Sequence, residues 1–163
     1  MTLPRLLALA ALTLSLLFAT PAAALPVAGA YPSKNNALSA PNDLERDALD
    51  LIQAERRRAR VEPLRWDPLL SAVAREHAQD MADNNYFDYA SSRLGTIEYR
   101  LHRSGISGAN IRSLIFRLGS VSALEKELRQ QPLRAETATH VGVGVVSKGV
   151  LPREVYVVIL MQE

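Results

Sequence analysis

The sequence predicts an α+β domain, a small sheet with helices packed on its faces. Three observations predict it. From Asn42 to Ser104 apolar residues recur at helical spacing, with capping residues at the segment ends. From His140 onward β-branched residues dominate. The element order is helix, helix, helix, strand, helix, strand, strand, which places a small sheet among helices. The chain has 163 residues, of which 48% are hydrophobic. That length and composition support one domain with an ordinary core.

The first helix starts at Asn42, which forms a capping-box pattern with Glu45. Leu44, Ala48, Leu51, Ile52 and Ala59 share one face, and Glu62-Pro63 ends the element. Leu64-Arg65-Trp66 reads as an extended link, with Trp66 as a core anchor. The second helix has Asp67 as N-cap and Pro68 at its first position, where a missing N–H removes nothing. Leu69, Leu70, Val73, Ala74, His77, Ala78 and Met81 form its buried stripe, and Asn84-Asn85 closes it.

Residues 86–95 read as a loop. A short third helix follows over 96–104, with Gly105 as its stop. Residues 110–117 alternate as a strand around Ile111, Leu114 and Phe116. A fourth helix is expected over 120–131, with Ser122 and Glu125 as a second capping box and Pro132 as its end. Residues 140–147 and 154–161 then pair as an antiparallel hairpin across Lys148-Gly149 and Pro152. Gly142 and Gly144 alternate with valines, so one strand face must admit a close neighbour.

The N-terminus reads as a targeting signal. Arg5 precedes an apolar run over 6–19, which is short for a membrane span. Pro21 breaks the run, and Ala22-Ala23-Ala24 offers a cleavage site. Residues 1–24 are therefore expected to be a signal peptide, with an uncleaved anchor as the alternative. Cleavage removes Arg5 and lowers the net charge from +2 to +1. Residues 25–41 carry three prolines and no apolar period, and read as a disordered lead-in. The domain proper is expected over 42–163.

Composition closes several routes. The near-neutral charge gives no reason to expect nucleic acid. Arg56, Arg57, Arg58 and Arg60 form the one dense basic run and read as a solvated helix face. There is no cysteine, which excludes disulfides, thiolate sites, a cysteine nucleophile and a cysteine-linked lipid anchor.

Several segments carry a resemblance. Residues 51–56 read LIQAER, 63–70 read PLRWDPLL, and 74–82 read AREHAQDMA, followed by Tyr86-Phe87. Arg100 to Gly105, Gly108-Ala109-Asn110-Ile111 and Thr139 to Val145 complete the series. In this order and spacing the chain resembles the CAP superfamily: cysteine-rich secretory proteins, antigen 5 and pathogenesis-related proteins. Without cysteine it is similar to the bacterial SCP-like extracellular branch. The resemblance covers roughly residues 42–163. It implies a three-layer α-β-α sandwich with a small, mainly antiparallel sheet, in agreement with the element order.

The resemblance also implies a cleft holding two histidines and acidic residues. One family histidine follows a Phe-Ser pair; the matching segment here is Phe87-Asp88-Tyr89, so Tyr89 stands in its place. The family's Gly-Glu-Asn is Gly108-Ala109-Asn110 here, so Ala109 replaces the acid. The family's His-Arg is Leu133-Arg134, and the spacing from it to Gly142 is short. Alanine and leucine offer no metal donor, and a phenol loses its proton only near pH 10. No catalytic, metal or cofactor residue is therefore expected. The degenerate cleft positions are Tyr89, Ala109, Asn110, Leu133 and His140, with Asn110 expected to hold backbone.

The chain has three histidines. His77 falls on the apolar stripe and reads as a satisfied core histidine, His102 as exposed, and His140 as a strand opener near a cleft edge. Ser91 and Ser92 lie outside any Gly-x-Ser-x-Gly turn, which argues against a hydrolase nucleophile. Glu125 and Glu127 read as solvated charges. The expected function is that of a secreted or periplasmic non-catalytic domain that binds a protein, lipid or cell-wall partner. The alternatives are a protease-like hydrolase and a sterol or fatty-acid carrier.

Overall fold

The computed structural model describes residues 39–107, 110–131, 137–150 and 153–163. The expected signal peptide, most of the lead-in, Gly108, Ala109 and the 132–136 segment lie outside them. The elements are α1 (Asp43–Ala59), β1 (Arg65–Trp66), α2 (Pro68–Asn84), β2 (Ala90–Ser91), β3 (Gly95–Thr96) and α3 (Ile97–Arg103). Then come β4 (Ile111–Leu118), a 3-10 turn at Val121–Ala123, α4 (Leu124–Gln130), β5 (His140–Lys148) and β6 (Glu154–Gln162).

Four strands form one sheet in the order β1-β5-β6-β4. β5 pairs antiparallel with β6, and β6 with β4; the two-residue β1 is parallel to β5. Residue alternation splits the sheet into two apolar faces. Val155, Val157, Ile159 and Met161 of β6 pack with α1 (Ala48, Ile52) and α4 (Leu124, Leu128). Tyr156, Val158 and Leu160 pack with α2 (Leu70, Val73, Ala74) and α3 (Ile97, Leu101). The helices therefore lie on both sides of a central sheet, giving an α+β, three-layer arrangement.

The helix ends follow the sequence signals. Asn42 and Glu45 make a reciprocal capping box. Asp67 accepts from the amides of Leu69 and Leu70. Asn85 ends α2 in the left-handed region at φ 53°. Close approach explains the two glycines of β5. A Cβ at Gly142 would lie 2.3 Å from the Leu70 carbonyl carbon, and one at Gly144 2.3 Å from that of Ala74. Glycine is what lets α2 lie on the β5 backbone.

The molecule departs from the sequence expectations in five places. α4 begins at Leu124 with no side-chain cap. The hydroxyl of Ser122 pairs with Ser120 instead, and Glu125 takes Arg129 and Arg58. Arg56 is fully buried: its guanidinium donates to the carbonyls of Glu62 and Ala138, while Arg57, Arg58 and Arg60 stay exposed. Leu69 is 41% exposed because it precedes the phase of the buried stripe, which begins at Leu70. Trp66 is half-buried, and Leu64 fills the core beside it. The 86–95 loop contains a tight hairpin, β2 against β3.

Candidate functional site

α2 carries His77, Asp80 and Asn84 along one side, spaced by about one and two helical turns. The 86–95 segment and α3 close over this side. Asp80 is almost wholly buried and is ringed by donors. Its carboxylate accepts from Tyr86 Oη at 2.6 Å, Arg93 Nη2 at 2.8 Å, Asn84 Nδ2 at 2.9 Å and Arg100 Nη2 at 3.2 Å. Burial opposes its ionisation. Hydrogen bonds from Ser91, Tyr86 and Arg93 outweigh that and hold the carboxyl at about 2. The same contacts act on the partners. Burial, and then Asp80, raises the Tyr86 phenol, and the Asp80 hydrogen bond raises Arg93.

His77 lies beside this network, fully buried, with its ring edge-on to Tyr86 at 6.3 Å. The sequence reads it as a satisfied core histidine. It is in the core, but neither ring nitrogen has a hydrogen-bond partner among the described residues. Burial, and then the positive charge of Arg100, lower its pKa to about 4. The imidazole is therefore neutral at ordinary pH. Arg100 is also fully buried, and its Nε and Nη1 lack partners among the described residues. Buried polar atoms of this kind are commonly met by ordered water.

Chemically, the arrangement braces a surface segment. Asp80 ties α2, the turn at 91–94 and α3 into one ionic knot. Ser91 Oγ accepts from the amides of Arg93 and Leu94 at 3.1 Å each, so this serine shapes the turn. Three aromatics on the elements that the knot ties, or next to them, are exposed: Phe87 at 42%, Tyr89 at 49% and Tyr99 at 58%. The guanidinium of Arg117 stacks over Phe87 at 5.5 Å and that of Arg103 over Tyr99 at 5.9 Å.

His140 lies elsewhere. It opens β5 with its Nδ1 2.9 Å from Thr139 Oγ1. It borders an open depression of about 620 Å³ lined also by Glu62, Pro63, Leu64, Arg65 and Ala138. Arg56 supports two edges of this depression from below through the Glu62 and Ala138 carbonyls. Gln53 clamps the Leu64 main chain, donating to its carbonyl at 2.7 Å and accepting from its amide at 3.1 Å.

Of the five positions expected to share a cleft, Tyr89, Asn110 and His140 are among the described residues. Asn110 and His140 lie near one end of the sheet, where Ile111 and His140 both pair with Gln162. Asn110 donates to the Glu163 carboxylate rather than to backbone. Arg117, Tyr156 and Val146 align six residues further along, roughly 20 Å away. Phe87, two residues before Tyr89, stacks at that far end. Ala109 and Leu133 lie outside the described residues. His102 is exposed, as expected. The knot residues Asp80, Tyr86, Arg93 and Arg100 are not among the expected cleft positions, although Asp80, Tyr86 and Arg100 fall in the motifs that carry the resemblance. A further signal is that the acid at 80 lies beside the apolar stripe, three residues after His77. Among the described residues no group of three His, Asp or Glu side chains is gathered as a metal site.

Residues 49–160 match the model of the cysteine-rich secretory protein family. Two Bacillus subtilis proteins are similar. YkwD, uncharacterised, is 33% identical over 124 residues, 71% of this chain and 48% of its own length. YlbC, an uncharacterised membrane protein, is 32% identical over 64% of this chain and 32% of its own. An extracellular SCP-domain protein of Bacillus anthracis superposes with a TM-score of 0.62 at 31% identity, over 72% of this chain and 40% of that one. An outer surface protein of Borrelia burgdorferi shares the fold, with a TM-score of 0.63 at 18% identity over 75% of this chain and 96% of that one. This chain thus spans about half or less of the length of the curated relatives it matches. With the family model covering 49–160 and the sandwich in place, this cysteine-free chain belongs to the cysteine-rich secretory protein (CAP) family.

Proposed function

We propose that this chain is a secreted or periplasmic CAP domain that binds an envelope or extracellular partner and carries out no chemistry of its own. The observation that carries this reading is the Asp80 knot. General acid–base work needs a titratable group open to substrate with a pKa near the working pH. Here the one well-buried acid on α2 has its carboxylate occupied by internal donors and stays ionised. Its neighbour His77 is neutral and sealed. The knot braces the 86–95 segment, which displays Phe87 and Tyr89, and α3, which displays Tyr99. Exposed aromatic rings paired with arginine are typical of contact surfaces. The apolar run at 6–19 and the extracellular Bacillus anthracis relative support the location. Among the described residues no helix is long and apolar enough to cross a membrane.

The test is retention of purified protein on three supports: lipid vesicles, isolated cell-wall sacculi and immobilised soluble envelope proteins. Retention on one of them is expected to fall at least about tenfold in a Phe87→Ala, Tyr89→Ala, Tyr99→Ala variant. Undiminished retention would remove the aromatic surface from the argument. Peptide or lipid hydrolysis abolished by Asp80→Asn or His140→Ala would replace binding with catalysis.

A further inference from the structure

The outer edge of β4 is unpaired among the described residues, since β4 ends the four-stranded order. The Asn110 carbonyl accepts from the Glu163 amide at 3.0 Å, and Ile111 stands opposite Gln162. Antiparallel main-chain groups alternate between the two sides of a strand. The even residues 112, 114, 116 and 118 therefore turn their amides and carbonyls toward β6. Ile111, Ser113, Ile115 and Arg117 turn theirs outward.

Such an edge is a template for another strand, and proteins usually guard it with proline, lysine, glycine bulges or free charge. β4 reads IRSLIFRL, with no proline, glycine or lysine. Of its two charges, Arg112 reaches toward the Glu163 carboxylate at 3.2 Å, and Arg117 is exposed with its guanidinium over the Phe87 ring.

We infer that β4 is an interface with a second copy of this chain, the two β4 edges pairing antiparallel to continue the sheet across both molecules. The strand is self-complementary for this. Opposed residues in an antiparallel pair project to the same face, so even residues meet even and odd meet odd. Arg112 and Arg117 therefore never oppose one another. In the register centred on Ile115, the outward amides and carbonyls of 113, 115 and 117 face each other. Leu114 then opposes Phe116, extending the apolar face those residues already share with α1 and α4. Ser113 opposes Arg117. This holds whether or not the aromatic surface binds a partner.

Sedimentation of the purified chain over a micromolar concentration range tests it. The expected result is a monomer–dimer equilibrium. Ser113→Pro removes one outward N–H and leaves the β4–β6 bonds intact. It is expected to give monomer with an unchanged far-ultraviolet spectrum. Ser113→Arg sets like charges opposite each other and is expected to weaken the dimer several-fold, while Ser113→Asp tightens it. Monomer at all concentrations overturns the inference. So does a dimer indifferent to Ser113→Pro and to the Arg and Asp pair.

Discussion

The two faces of the sheet are built on different physics. Toward α1 and α4, valines, isoleucine, leucines and phenylalanine interdigitate as side chains. Toward α2, the β5 residues are Gly142 and Gly144, and the helix backbone rests directly on the strand. Behind that contact lie an ionic knot, a fully buried histidine and a fully buried arginine. The first face gains stability from apolar area and gives way gradually. The second adds to its own apolar packing a few groups with no substitute. It also carries the segment and the helix that display the exposed aromatics.

The largest effect should come from the knot. Asp80→Ala leaves the guanidinium of Arg100 buried without its carboxylate, and stranding a buried charge costs about 3–5 kcal/mol. Chemical denaturation measures it. A loss below about 1 kcal/mol would mean that water already screens Arg100, and the contrast between the faces would shrink.

Gly144→Ala follows. A Cβ there meets backbone of α2, at Ala74 and Arg75, and backbone cannot swing aside like a side chain. Overpacking of this kind costs about 1–3 kcal/mol or more. The paired experiment is Val143→Ala, one residue away and facing the other layer, where a small cavity replaces methyl groups. The added methyl at 144 is expected to destabilise more than the two lost at 143. Equal losses would mean that the two faces tolerate change alike.

These contrasts also show which parts were legible in the sequence. Asn42-Glu45, Asp67-Pro68 and Asn85 announce their helix ends because capping chemistry is local. The glycines of β5 were readable because alternation with valine leaves close approach as the plain reason. The burial of Arg56 was not readable, since its partners are the Glu62 and Ala138 carbonyls, and Ala138 is remote in sequence. The knot was hidden for the same reason: Asp80 meets Arg93 and Arg100 only once the hairpin folds back. Motif alignment alone makes Tyr89 a cleft position, since no local capping or alternation signal bears on it.

Acid separates two members of the second face. His77 has a folded pKa of about 4 against an ordinary 6.5. Above pH 6.5 it is neutral in both states and contributes nothing. Below 6.5 the unfolded chain takes a proton that the folded one refuses, so stability falls until about pH 4, by up to ~3 kcal/mol. Asp80, at about 2 against 3.8, acts in a lower window. Its stabilisation is complete above 3.8 and is lost as pH drops toward 2. Denaturation midpoints across pH should show both phases, and His77→Leu should flatten only the upper one. An upper phase that persists in that variant assigns the acid sensitivity to another group.

The smallest stability effect is expected on the surface of that same face. The Arg117–Phe87 stack is exposed, and exposed cation–π pairs contribute about 0.5–1 kcal/mol. Phe87→Ala should therefore leave thermal stability nearly unchanged while removing much of the retention attributed to the aromatic surface. The order of effects is what carries meaning. If Phe87→Ala destabilised as strongly as Asp80→Ala, the aromatic ring would belong to the fold rather than to a contact. A small stability change with lost retention is what a displayed side chain on a braced support produces.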